Sequence, residues 1–212
     1  MKPGAPSTRD RTRRAILEAV ADVIMESHGV GFSVQAVADR AGVTHRTVYN
    51  HFPTRDALCE AFADYVDESL ASTSQPFDGR LTRERLPDQA ASLYQLLQLR
   101  ERNVRAGVML MIGTRRPTRT WEERTRTIES LIAANPALGA PPPRQAAAAV
   151  RLFASSIGWH LLTEQCGLST DEAAATTAWA SRVLLDASTT AGATAARPSS
   201  KAKRHATRRR RR

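Results

Sequence analysis

The chain has 212 residues, 42% of them apolar and only 5% aromatic, with a formal charge of +10. Nine basic side chains fall in residues 188–212 (Arg197, Lys201, Lys203, Arg204 and Arg208 to Arg212), so the rest of the chain is close to neutral. Two cysteines, Cys59 and Cys166, exclude a disulfide framework or a four-cysteine metal site, no run reaches the ~18 apolar residues of a membrane helix, and the basic N-terminus lacks the apolar segment of a secretory signal, which together predict a cytoplasmic protein with reduced thiols.

Residues 1–8 read as a loose N-terminus. Over 9–28, Ile16, Val20, Val23 and Ile24 recur at helical spacing and form one buried stripe, with Gly29 and Gly31 as stop signals. Ser33 caps a short helix over 34–40, Gly42 breaks it, and Thr44 caps a third helix that ends before Pro53. Thr54 caps a fourth, whose stripe is Leu58, Phe62, Tyr65, Val66 and Leu70. A polar loop occupies 72–79. Helices are expected over 83–102, 104–114 and 118–134, and a Pro-rich loop over 135–143. One long Ala-rich helix is expected over 144–166, ended by Gly167. Ser169 and Glu172 have capping-box spacing and open a last helix to about Ala187. The total is an all-α fold of about nine helices. Residues 188–212 lack large apolar side chains and are expected to be disordered.

Residues 33–52, SVQAVADRAGVTHRTVYNHF, place a capped helix, a glycine turn and a second capped helix in succession, the arithmetic of a helix-turn-helix. Val34, Val37 and Ala38 are spaced to pack on Val48 and Phe52. That turns Arg46, Thr47, Tyr49 and Asn50 outward and sets His45 in the first turn, the end that enters the major groove. Arg46 suits a guanine edge or a phosphate; Thr47, Tyr49 and Asn50 suit phosphates or bases.

The segment AGVTHRTVYNHFPTRDAL resembles the recognition helix and following helix of the TetR family of bacterial transcriptional regulators, through Ala41, Gly42, Val43, Thr47, Tyr49, His51, Phe52 and Leu58. Upstream, Ala15 to Leu17, Gly29, Phe32, Ser33, Val37 and Ala38 also fall in place, so the resemblance covers about residues 9–60. It implies an N-terminal three-helix DNA-binding domain (9–54) that reads a double-stranded operator. It also implies a ligand-binding and dimerisation domain (55–187), whose last two helices make a homodimer. By that resemblance Ser33, Gln35, Thr44, His51 and Arg55 join His45, Arg46, Thr47, Tyr49 and Asn50 as DNA-contact candidates. Asn50 and Arg55 depart from the family's usual residues, although Arg55 keeps the charge where lysine is common. His51 is as readily a residue packed on the first helix.

The resemblance also turns Tyr94, Leu97, Met109, Met111, Trp121 and Phe153 from core residues into pocket candidates, with three of the six expected on a cavity for an unknown small ligand. His160 and Arg105 are polar candidates for its wall, and Trp159 and Trp179 mark the dimer helices. No cofactor is called for. No two of the five histidines stand at ligand spacing on one helix, so no metal site is expected. No nucleophile, base and orienting group come together, so no catalytic residue is assigned. The basic tail is either a nonspecific DNA tether or a solubilising segment. Two functions remain: a dimeric repressor released by a small ligand, or a DNA-organising or cell-cycle protein of the same fold without one.

Overall fold

The computed structural model describes residues 7–27, 32–71, 81–114 and 119–189. The expectations for residues 1–6, Gly29, Gly31, the loop at 72–79 and the tail beyond 189 lie outside them. Among the described residues there are ten helices and no strand: α1 (Thr8–Glu26), α2 (Val34–Ala41), α3 (His45–His51), α4 (Arg55–Ala71), α5 (Leu86–Gln98), α6 (Glu101–Thr114), α7 (Arg119–Ala134), α8 (Pro143–Phe153), α9 (Ser156–His160) and α10 (Thr170–Ser188).

Local chemistry fixes most of the ends. Ser7 and Asp10 form a capping box that starts α1 at Thr8, one residue earlier than its stripe suggests. Ser33, Thr44 and Thr54 each accept a hydrogen bond from the amide three residues on, at 3.1, 3.1 and 3.0 Å. Gly42 ends α2 in the left-handed region at φ +65°, and Val43 N–H donates back to Ala38 at 3.0 Å, closing a Schellman turn. α5 is shorter than its apolar pattern. Thr82 caps a turn before it, Pro87 sits in its first turn, and a second turn at 99–100 separates it from α6.

The Ala-rich stretch is not one helix. α8 stops at Phe153, Ser155 is extended, and α9 restarts with the Ser155 hydroxyl accepting from Gly158 N–H at 3.0 Å. A π-helical turn over Leu161–Gln165 follows, with Cys166 N–H reaching Leu161 at 3.1 Å. The carbonyls released by the break are taken up by side chains. Ser155 donates to Leu152 at 2.8 Å, Tyr94 to Phe153 at 2.5 Å, and Arg151 to Ala154. Gly158 is required here, because a Cβ would press into the Leu152 carbonyl and lie 2.7 Å from both the Phe153 carbonyl and the Tyr94 hydroxyl.

Two apolar cores result. The first runs from Ile16, Val20 and Ile24 through Val37, Val48 and Phe52, then on through Leu58 and Phe62 to Tyr94, Leu97 and Trp159. It crosses from α3 to α4 without a gap, so the helix-turn-helix is seated directly on the larger half. The second holds Leu86, Ile128, Ile132, Val150 and Leu185 between α5, α7, α8 and α10. Trp159, expected on a dimer face, is fully buried with the Arg105 guanidinium 4.6 Å from its ring centre. Trp179 remains 63% exposed.

Candidate nucleic-acid interface

α2 and α3 pack through Val34, Val37 and Ala38 against Val48 and Phe52, all buried. That packing fixes which face of α3 is left outside. His45, Arg46, Tyr49 and Asn50 are exposed and Thr47 is half-buried. Thr47 faces back to the cap, its hydroxyl 2.8 Å from that of Thr44. Tyr49 is steadied by its neighbour one turn earlier, with the His45 ring edge-on at 4.8 Å. Among the described residues no ion pair holds Arg46, so its five N–H donors face solvent.

The flanks are basic. Arg55, at the start of α4, lies over the Phe32 ring at 4.8 Å, beside the Ser33 cap of α2. Arg13 of α1 lies over Phe52 at 5.2 Å, at the other end of α3. Each guanidinium keeps its charge outward while its flat face rests on an aromatic ring, a geometry suited to a phosphate. Arg13 was not singled out from the sequence, because nothing local links residue 13 to residue 52. Gln35 is exposed but bonded to Asp39 at 2.7 Å. His51 is half-buried, its ring 6.1 Å from that of Phe52.

The pocket candidates divide. Tyr94 and Leu97 are packed in the first core, and burial pushes the Tyr94 hydroxyl up to about 12. Its hydroxyl hydrogen is committed to Phe153, whose carbonyl, like that of Ala154, belongs to the helix break. Met109 packs partly buried against the same core. Met111 and Trp121 line a cavity of about 60 Å³ between α4, α6 and α7. A second cavity of about 180 Å³ opens beside it between α7 and α8. Arg124 and Arg151 line both, and neither is apparent from sequence as a pocket residue. Arg105 bonds Glu101 and Glu164 at 2.9 and 2.7 Å and approaches His160 Nδ1 at 3.3 Å, so it serves a charged cluster beside Trp159 rather than either cavity. Burial, and then Arg105, push the His160 imidazole below its usual 6.5.

Residues 16–62 match the model of the bacterial regulatory proteins of the tetR family, over the helices that carry this face. Residues 16–62 thus form a DNA-binding region of the TetR-family type. Curated relatives match over the same stretch. A nucleoid occlusion factor, SlmA, of Marinomonas is 33% identical over 58 residues, 27% of this chain and 29% of the relative. The transcriptional repressor Rv3405c of Mycobacterium tuberculosis is 34% identical over 65 residues, 31% of this chain and 35% of the relative. The matched stretch thus spans about a third of those relatives' length. The fold extends further. NalD of Pseudomonas aeruginosa, the secondary repressor of the MexAB-OprM multidrug efflux pump, superposes with a TM-score of 0.62 at 20% identity. That superposition covers 86% of this chain and 98% of NalD, and shows that the helices beyond the matched stretch share NalD's fold. Among the described residues no helix is long and apolar enough to cross a membrane.

Proposed function

We propose that this TetR-family regulator acts as a dimeric repressor that reads an operator in double-stranded DNA and is released by a small ligand. Residues 9–54 read, 55–187 hold the ligand and the partner subunit, and the protein works in the cytoplasm by binding rather than by catalysis. The observation that carries the reading is the outward face of α3, where Arg46, Tyr49 and Asn50 stand exposed on a helix whose cap and inner face are otherwise fully used. Rv3405c and NalD, both named as repressors, support the direction of control. The apolar side chains left outside on α8 and α10, Leu152, Trp179 and Val183, support a dimer through that end. Two recognition helices related by a two-fold then meet successive major grooves about 34–36 Å apart.

A ligand that fits only one spacing of those helices shifts the population away from the DNA-bound state, by no more than its difference in affinity for the two states. α4 is the lever, since it starts at Arg55 beside the reading module and ends beside the cavities. The test is selection of bound fragments from genomic DNA with the full-length protein. A two-fold symmetric site with half-sites one helical turn apart is expected; no enriched sequence would overturn the reading. The SlmA relatives support the alternative of a DNA-organising role, for which the same selection returns many dispersed sites rather than a promoter.

A further inference from the structure

We infer that the first two turns of α1 form a second DNA-contacting surface, in which Arg9 and Arg13 hold backbone phosphates at the rim of the groove that α3 reads. This rests on the operator-reading function above and adds to it a contact outside the two helices of the motif.

Residues 9–14 carry Arg9, Arg11, Arg13 and Arg14 against a single acid, Asp10. Their commitments differ by face. Arg11 donates to the Thr8 hydroxyl at 3.1 Å, and Arg14 is paired with Glu18 at 2.9 Å. Asp10 is used by the capping box, where the Ser7 hydroxyl donates to it at 2.6 Å, and the bonds from Ser7 hold its carboxyl below the usual carboxylate range. Arg9 and Arg13 stand four residues apart and so share one side of the helix. Both are exposed, and neither has an ion pair or a hydrogen bond among the described residues.

The fold sets this pair against the reading helix. Arg13 lies over the ring of Phe52 at 5.2 Å, and Phe52 is the buried residue that ends α3. α3 has seven residues, a length of about 10 Å, so Arg13 is no further than that along its axis from any residue of the outward face. With the first turns of α3 inside a major groove about 12 Å wide, the far end of the helix lies at the rim, where the phosphates run. A guanidinium resting flat on a fixed ring has its orientation set and its edge N–H groups free, which suits the paired oxygens of a phosphate. Arg9, one turn or about 5.4 Å along α1, extends the same cationic edge along the backbone. Contacts of this kind position the protein and carry no sequence information.

The experiment uses the full-length protein on its selected operator and on random duplex, over a range of salt, together with ethylation interference on the operator. Arg9→Gln combined with Arg13→Gln is expected to weaken both DNAs by the same factor, at least about tenfold, because two charged hydrogen-bond donors are lost and neither reads a base. The salt slope should flatten by about 0.9 for each arginine in each subunit. Phosphates beside each half-site whose ethylation blocks the parent protein should cease to matter for this double variant. Arg11→Gln combined with Arg14→Gln removes the same charge from the other sides of α1 and should change either affinity by no more than about threefold, since salt screens charges that touch no phosphate. If Arg13→Gln disturbs Phe52 and lowers the melting temperature, Arg9→Gln alone carries the decision, because it touches no ring and must still remove a sensitive phosphate from each half-site. Equal losses in the two double variants, or an unchanged set of sensitive phosphates, overturns the inference. An operator bound as tightly without Arg9 and Arg13 removes α1 from the interface and leaves the reading by α3 standing. Random DNA held through these arginines by a protein that selects no sequence does the reverse.

Discussion

Arg46 is the side chain on which sequence discrimination by the proposed complex depends most, because it projects from the first turns of α3 with its donors uncommitted. A bidentate contact of arginine to a guanine edge is worth about 1–3 kcal/mol. Arg46→Ala is therefore expected to weaken operator binding by about ten- to hundredfold while helical content and melting temperature stay put, since the residue touches no core. A gel-shift titration on the selected operator checks this; equal affinity would remove Arg46 from the reading face. The exposure of Arg46, Tyr49 and Asn50 was legible in the sequence because it follows from a short-range rule: once Val48 and Phe52 are inside, the positions on the far side of the helical turn are out. Arg13 was not legible for the converse reason. Its contact with Phe52 depends on the crossing of α1 and α3, which no local spacing encodes. Arg124 and Arg151 were hidden by a sound prior, since arginines on a helix are mostly solvated.

At the scale of elements, the break between α8 and α9 is the feature that most changes the molecule. It separates Arg151 from Trp159, turns the latter into the core, and frees the Phe153 carbonyl for Tyr94, with Thr177 of α10 2.9 Å from the tyrosine hydroxyl. Three helices thus meet at one pair of hydroxyls. Gly158→Ala is expected to destabilise the fold by about 1–3 kcal/mol, the usual range for overpacking, because the groups it meets include two backbone carbonyls that cannot rotate away. Urea unfolding gives the value, and an unchanged midpoint would mean the restart of α9 is looser than described. The signals for the break were present as Ser155 and Gly158, an N-cap residue with its amide three positions on. The run of alanines around them has high helix propensity and outweighed them in the sequence reading. Along α10 the sequence was a better guide: its capping box is where it was expected. Trp179→Glu should convert the proposed dimer to a monomer, as a charge without a partner in a packed helix interface costs several kcal/mol. Because Trp179 is 63% exposed within one subunit, the substituted monomer should remain folded. Sedimentation together with circular dichroism separates the two effects, and a dimer that survives would move the interface elsewhere.

Across the whole molecule, the reading module and the larger half are joined by charge as well as by the shared core. Asp22 of α1 accepts from Arg102 at the start of α6 and lies 3.6 Å from Arg40 of α2, which also grips Glu26 at 2.6 Å. Exposed pairs of this kind are each worth only about 0–1 kcal/mol, so the buried core from Ile16 to Trp159 sets the stability and the ion pairs fix the angle. The same comparison of magnitudes governs the basic end of the chain. Residues 193–212 contain nine lysines and arginines and no acidic residue, whereas the reading face carries few cations of its own. Charge that is not shaped to a groove contributes to every DNA sequence alike, with a salt slope of roughly one log unit per phosphate neutralised. Deleting 193–212 is therefore expected to lower affinity for random DNA at low salt and to flatten the salt dependence. Preference for the operator over random DNA should persist or rise, since the base-reading residues lie within the first 60 positions. Helical content and melting temperature should be unchanged, because the deleted stretch holds no large apolar side chain to bury. Affinities for operator and random fragments at two salt concentrations, full-length against truncated, decide the matter. If truncation abolishes the preference itself, the basic end takes part in recognition and α3 does not read alone.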